Sequence, residues 1–249
     1  MKNLQSLRCF IIGEGSLLLQ CAHSLLEKNH QLLGIISPDS QVKQWAREHQ
    51  LFYAQPDQNL SQVLTQYSFD YLFSITNHTI LSPEILNIPQ ELAINYHDSP
   101  LPKYAGLYAS TWALMNQESQ HAITWHIISS GIDEGDILKQ VSIDIAPDET
   151  ASTLNVKCFE AAIDSFAKLV DELAAGTVTR TKQNLASRSY FSRTRKPETG
   201  IQFRWHHPAD QLDALVRSLH FAPFPNPLAL PKLIVEQNGS PTLLAISKL

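Results

Sequence analysis

In the stretch INYHDSPLP, residues 94–102, an asparagine and a histidine stand two positions apart at the end of an apolar run. Side chains alternate across a strand, so Asn95 and His97 face one way and Tyr96 the other. An amide donor beside an imidazole that titrates near neutrality is a pair able to polarise a carbonyl oxygen and to move a proton. Further along, the alternating run HAITWHII, 121–128, opens into SSGIDEGDILKQ, a glycine-flanked acidic loop carrying Asp133, Glu134 and Asp136. The expectation is that Asn95, His97 and Asp133 arrive from two strand ends and meet in one pocket. Pro100 and Pro102 fix φ and remove N–H donors, so the loop after His97 should form a stiff wall.

Such a site needs a sheet. RCFIIG (8–13), QLLGIIS (31–37), FDYLFSIT (69–76) and ELAINYH (91–97) read as strands. Between the first two, Leu18, Cys21, Ala22, Leu25 and Leu26 share one helical face, and the polar segment 40–50 reads as a second helix. Alternating strands and helices imply parallel strands with right-handed crossovers, so residues 1–180 read as a Rossmann-like open, mostly parallel α/β sheet with flanking helices. In such sheets ligands bind beyond the carboxyl ends of the strands, where Asn95 and His97 stand. Leu154, Cys158, Ala161, Ala162, Phe166, Leu169 and Leu173 predict a long helix ending near Gly176. Residues 181–200 are basic and read as a linker over the surface. Residues 201–249, with an amphipathic helix at 208–219 and two strands around Asn238-Gly239-Ser240, read as the start of a small β-rich, OB-like subdomain. Two strands cannot close a barrel, so this subdomain is expected to be truncated and the chain to be a piece of something longer.

The bulk numbers narrow the classes. A formal charge of −5 argues against a surface made mainly to hold nucleic acid, and Cys9, Cys21 and Cys158 lack metal or disulfide spacing. The N-terminal apolar stretch is interrupted by Glu14, with no signal-peptide cleavage site, and no run spans a membrane, so the expected location is cytoplasmic. GEGS, 13–16, hints at a dinucleotide loop, but Leu18 stands where the third glycine belongs and no acid closes the second strand, so no nicotinamide cofactor is expected.

The three elements Asn95-Tyr96-His97, Ser99-Pro100-Leu101-Pro102 and Asp133-Glu134-Gly135-Asp136-Ile137 resemble the signature of the folate-dependent formyltransferases, which include methionyl-tRNA formyltransferase, glycinamide ribonucleotide transformylase and the nucleotide-sugar N-formyltransferases. The separation of His97 and Asp133, 36 positions (133 − 97), agrees with that family. Ser189-Tyr190-Phe191 with Arg193, Arg195-Lys196-Pro197 and Gly200 is similar to the family's interdomain segment. SPLPKYAG (99–106), TWH (124–126) and PFPNPL (223–228) resemble most the formylation domains that open nonribosomal peptide synthetases of antibiotic biosynthesis, such as linear gramicidin synthetase.

The resemblance implies N10-formyltetrahydrofolate as formyl donor, no metal, and catalysis by Asn95, His97 and Asp133. Asn95 would donate to the developing oxyanion, His97 would stabilise the same oxygen or relay a proton, and Asp133 would orient the imidazole or help deprotonate the amine. It implies folate contacts at Ile80, Leu81, Ser99, Leu101, Pro102, Ser130, Gly131 and Ile132, with Tyr104 and Gly106 on the acceptor side. The expected acceptor is an aminoacyl thioester on a peptidyl carrier protein, with the carrier and an adenylation domain of the synthetase as partners in cis. Aminoacyl-tRNA, a nucleotide-linked amino sugar, hydrolysis of the donor, or folate binding without turnover are the alternatives. His126 reads as a packed or pocket-lining histidine rather than a second base, Trp112 as core, His206-His207 as loop, and the acidic loop as solvated rather than metal-binding.

Overall fold

The computed structural model describes residues 5–56, 59–196, 202–203, 208–222, 226, 228, 232–237 and 240–245. Pro197, Gly200, His206-His207, the Asn238-Gly239 turn and most of the 223–228 segment lie outside the described residues.

Seven strands form the main sheet: β1 (Arg8–Gly13), β2 (Gln31–Ile36), β3 (Phe52–Ala54), β4 (Tyr71–Ile75), β5 (Leu92–His97), then, beyond the short strand β6 (Ala105–Gly106), β7 (Gln120–Ile127) and β8 (Ile137–Asp144). Their spatial order is β3-β2-β1-β4-β5-β7-β8, and β1 to β5 pair in parallel. Helices α1 (Gly15–Glu27), α2 (Ser40–Glu48), α3 (Leu60–Leu64) and α4 (Pro83–Leu86) connect these strands. The order reverses at β1, so β1 and β4 flank the topological switch point.

The sheet is mostly parallel, and β7 is a strand that runs the other way. It pairs antiparallel to β5, with Asn95 opposite His126 and His97 opposite Thr124. Alternating hydrophobicity reports that one face of a strand is buried; it carries no information on direction. The segment between β5 and β7 contains a helix, α5 (Ala109–Met115), and is long enough for a crossover, so neither length nor pattern distinguishes the two paths. The 128–136 loop therefore does not leave from the same sheet edge as His97; it starts beside the first residues of β5 and leads into the neighbouring strand β8.

The chain divides into two compact units interleaved along the sequence, whereas composition divides it in order at 180 and 200. The first comprises residues 1–97, 123–141 and 159–186; the second, residues 98–122, 142–158 and 187–249. In the first unit the central strands are buried on both faces, which is why RCFIIG and YLFSI are continuous apolar runs. On one side Phe10 meets Tyr67 and Phe69 edge-on, with ring centroids 5.2 and 4.9 Å apart. Elsewhere in this unit Phe166, on the long helix α6 (Ala151–Ala175), packs edge-on against Phe73 and beside Trp125. Trp125 buries completely because its indole N–H donates to Ser165 Oγ at 2.9 Å. Among the described residues no helix is long and apolar enough to cross a membrane.

The second unit centres on an aromatic cluster. Tyr104 stacks on Phe191 at 5.4 Å, Trp112 lies 4.6 Å from Phe191, and Leu215, Val216 and Leu219 of α7 (Ala209–Leu219) close the cluster. Strand β6 pairs with β9 (Tyr190–Phe191). The segment read as a surface linker is thus structural at this point. Strands β10 (Gln202–Phe203), β11 (Lys232–Gln237) and β12 (Ser240–Ala245) form a small sheet in which β11 and β12 are antiparallel.

Arg8 and Asp70 tie the start of β1 to the approach to β4. Asp70 accepts from the Arg8 main-chain N–H at 2.8 Å and from Nη2 at 2.7 Å, and its own N–H donates to Arg8 O at 2.8 Å. Burial opposes ionisation of Asp70, but the Arg8 side chain, main-chain N–H and charge outweigh it and hold the carboxyl below its usual range. The unfolded chain therefore takes up the proton first, so this contribution is complete above about pH 4 and is lost as pH falls through the lower folded value. We expect Asp70→Asn to flatten the decline of the urea midpoint as pH falls below about 4 relative to wild type. Parallel declines in the two proteins would remove Asp70 from the account.

Candidate active site

Strand β5 puts Asn95 and His97 on one face, and Tyr96 turns to the other to pack 5.4 Å from Trp125. Neighbouring strands then complete a directed network. Ser74, a lone polar residue in β4, donates from Oγ to Asn95 Oδ1 at 2.8 Å, and Asn77 Nδ2 donates to Ser74 Oγ at 3.3 Å. On the other side Asn95 Nδ2 lies 3.2 Å from His126 Nε2, and His126 Nδ1 lies 2.9 Å from the carbonyl of Ile127. A carbonyl only accepts, so Nδ1 carries the proton and Nε2 takes a hydrogen bond from Asn95. The amide is therefore held from both ends in one orientation. Its second N–H remains to donate to a ligand, with no protein partner for it among the described residues.

The 128–136 loop delivers the carboxylate. Asp133 Oδ2 is 3.8 Å from His97 Nε2, and Oδ1 is 3.6 Å from His126 Nε2. Both imidazoles are buried, His97 at 7% and His126 at 2% exposure. One carboxylate thus stands between two imidazoles in a poorly solvated place. The loop turns tightly enough that a Cβ at Gly135 would sit 1.8 Å from Ile127 O, and glycine is the only residue without that clash.

Asn95, His97 and Asp133 are brought together, and His126, read from the sequence as a packed or lining residue, stands among them. Its alternation with Thr124 on β7 was the available signal; the antiparallel pairing opposite Asn95 was not. Ser74 was visible only as a hydroxyl in an apolar strand.

The remaining expected positions are more dispersed in character. Ile80 is 83% exposed, while Leu81 is buried in the core of the first unit. Ser130 and Ile132 are exposed in the loop after β7, with Gly131 half-buried between them. In the second unit Ser99 is buried with Oγ donating to Lys103 O at 3.0 Å, Leu101 is buried, and Pro102 O accepts from Ser189 N–H at 3.3 Å. Tyr104, expected on the acceptor side, has its side chain in the aromatic cluster. Its hydroxyl donates to Glu118 at 2.7 Å and accepts from Asn116 at 3.0 Å, and burial pushes its pKa up to about 12. Gly106 (φ +97°) meets Phe191, whose carbonyl oxygen would lie 2.3 Å from an added Cβ. That close pairing accounts for the glycine at 106.

At the GEGS loop, Gly15 N–H donates to Asp39 Oδ2 at 3.2 Å, and Asp39 Oδ1 caps α2 through Gln41 N–H at 2.8 Å. Glu14 adds a second carboxylate, 3.4 Å from His78. A phosphate at the start of α1 would meet both acids.

The formyl transferase family matches residues 10–170, well over half of the chain. This chain belongs to the formyl transferase family. Two curated methionyl-tRNA formyltransferases resemble it: that of Geobacter metallireducens is 33% identical over 188 residues, covering 74% of this chain and 59% of the relative. That of Clostridium acetobutylicum is 31% identical over 195 residues, covering 76% and 61%. The matched part thus spans about three fifths of those relatives. Among solved structures, a 4-N formyltransferase from Francisella tularensis superposes with a TM-score of 0.78 at 18% identity, covering 97% of this chain and 98% of that one. An N-formyltransferase from Helicobacter canadensis, in complex with folinic acid and dTDP-3-aminofucose, gives 0.75 at 21% identity, covering 93% and 89%. At those identities the likeness concerns the fold, which this formyl transferase family member shares along nearly its whole length.

The directed network makes a tautomer expectation for this family member. In ¹⁵N NMR the neutral His126 ring should be protonated at Nδ1, and Asn95→Ala should perturb its Nε2 resonance. A ring protonated at Nε2 would contradict the orientation given to Asn95.

Proposed function

We propose that this chain transfers the formyl group of N10-formyltetrahydrofolate to the α-amino group of an aminoacyl residue carried as a thioester on a peptidyl carrier protein. The observation that carries the reading is Asn95, fixed by Ser74 and His126, beside a carboxylate set between His97 and His126. That set suits acyl transfer to an amine without a protein nucleophile. The folate donor supplies the activated one-carbon acyl group when bound. Asn95 donates its second amide N–H to the formyl oxygen as negative charge collects there. His97 stabilises the same oxygen as imidazolium, gives its proton to N10 as the bond from N10 to the formyl carbon breaks, and as the neutral ring takes up the proton lost by the amine. Asp133 favours the charged imidazole. The new bond joins the acceptor nitrogen to the formyl carbon as the bond to N10 breaks. Ile80 and Ile132, large apolar side chains left exposed in the first unit, fit the flat face of a pterin.

Separate observations bear on the acceptor. The likeness of residues 99–106 and 124–126 to synthetase formylation domains favours a carrier, and so do the exposed cations of the second unit. Arg195 stacks over Phe191 at 4.6 Å, near the exposed Arg193 and Lys196, which suits an acidic protein partner. The net charge of −5 and the acids at the start of α1 disfavour polyphosphate-rich acceptors there. The identity with methionyl-tRNA formyltransferases favours aminoacyl-tRNA as the second reading.

Mass spectrometry decides between them. The protein is mixed with N10-formyltetrahydrofolate and, separately, aminoacyl carrier protein, aminoacyl-tRNA, free amino acids and amino-sugar nucleotides. We expect the loaded carrier to gain one carbonyl, His97→Ala to abolish the gain, and Asn95→Ala to slow it about a hundredfold to a thousandfold. Formylation of tRNA or sugar alone would transfer the assignment to that acceptor. Folate binding with no transfer to anything would make the chain a binding module.

A further inference from the structure

The geometry points to Gln183 as the residue that positions the Asp133 carboxylate between the two imidazoles. Its kinetic consequence rests on the formyl-transfer reading; its structural consequence does not. Gln183 lies in the basic stretch after α6, where nothing in the residue pattern marks a functional group. Thr181 pairs with Ile137 in an isolated antiparallel bridge, N–H to O at 2.8 and 2.9 Å in the two directions, and so lays this stretch against the first residue of β8. From there the carboxamide of Gln183 reaches the acidic loop. Its Nε2 donates to Asp133 O at 2.8 Å and to Gly135 O at 2.7 Å, using both of its hydrogens.

The loop has reason to need that fork. Asp133 adopts φ +56°, a left-handed conformation that is unfavourable for an L-residue and persists where its surroundings offset the cost. Two other restraints act further along: Ile127 N–H donates to Asp136 O at 2.9 Å, and Gly135 fits against Ile127 O only for want of a Cβ. Gln183 reaches in from outside the loop to the main chain of residue 133 itself. The side-chain oxygen Oε1 is buried with no partner among the described residues, so the donors, not the acceptor, hold the loop. A carboxylate in its place would set negative oxygen against two carbonyls. The carboxylate oxygens of Asp133 stand 3.6 and 3.8 Å from the imidazole nitrogens, and an ångström of drift weakens both couplings. Gln183 is therefore a positioning residue, acting through Asp133.

The test titrates His97 by NMR in wild type, Asp133→Asn, Gln183→Ala and the near-isosteric Gln183→Glu. Asp133→Asn removes the carboxylate charge that His97 faces and is expected to lower its apparent pKa. Both Gln183 variants are expected to move it most of the way to that value at unchanged overall fold, whether or not any acceptor has been found. With a working acceptor, kcat should fall about tenfold while KM for the folate donor stays within about twofold. Histidine titrations that match wild type in both Gln183 variants, or that ignore Asp133→Asn, overturn the inference. A wild-type protein that transfers no formyl group overturns the functional reading alone and leaves the titration result standing.

Discussion

Placing one carboxylate between two buried imidazoles is the constraint from which much of this architecture follows. A charge in a poorly solvated place is tolerated only when paired and when its other polar neighbours are satisfied. Asp133 is paired with His97 on β5 and stands beside His126 on β7, and both rings reach it because β7 runs antiparallel beside β5, with His126 opposite Asn95. A parallel strand at that position would have sent the following loop to the other end of the sheet. The hairpin path between β7 and β8 returns Asp133 over the strands it has just left, and the glycine at 135 and the fork from Gln183 set the height of that return.

The same economy of direction governs Asn95. A buried amide can be flipped at little cost unless its neighbours distinguish oxygen from nitrogen. Here Ser74 supplies a donor to the oxygen and His126 a lone pair to the nitrogen, and Ile127 O fixes which ring nitrogen is free to accept. Polar networks of this kind are stabilising only when every member is matched, and a change at one residue is felt by the others. The chain Asn77, Ser74, Asn95, His126 also links the switch point between β1 and β4 to the face of β5 that carries Asn95 and His97. Orientation at the proposed oxyanion site is thus a property of three adjacent strands.

The fold is shared with formyltransferases named for quite different acceptors, so the fold by itself does not specify an acceptor. What individualises this chain are local features. The start of α1 is turned inward on Asp39 and fronted by Glu14, and the second unit carries Arg193 and Arg195 on a frame of stacked aromatics. Tyr104 and Gly106 belong to that frame: one fills the aromatic cluster and the other admits the close approach of Phe191.

The sequence by itself determined the parallel half of the sheet and the pairing of Asn95 with His97 on one face. Periodicity of two is a local property, and burial on both faces leaves continuous apolar runs that need no knowledge of neighbours. It also marked Asp133 as a candidate, because an acidic loop between glycines is a local signal. Tertiary structure alone decided that β7 runs against β5, that His126 is a partner of Asn95 rather than filler, that Ser74 orients the amide, and that Gln183 reaches back to the acidic loop. Each of these depends on contacts between residues 21 to 50 positions apart, and nothing in the local pattern of either partner encodes the other.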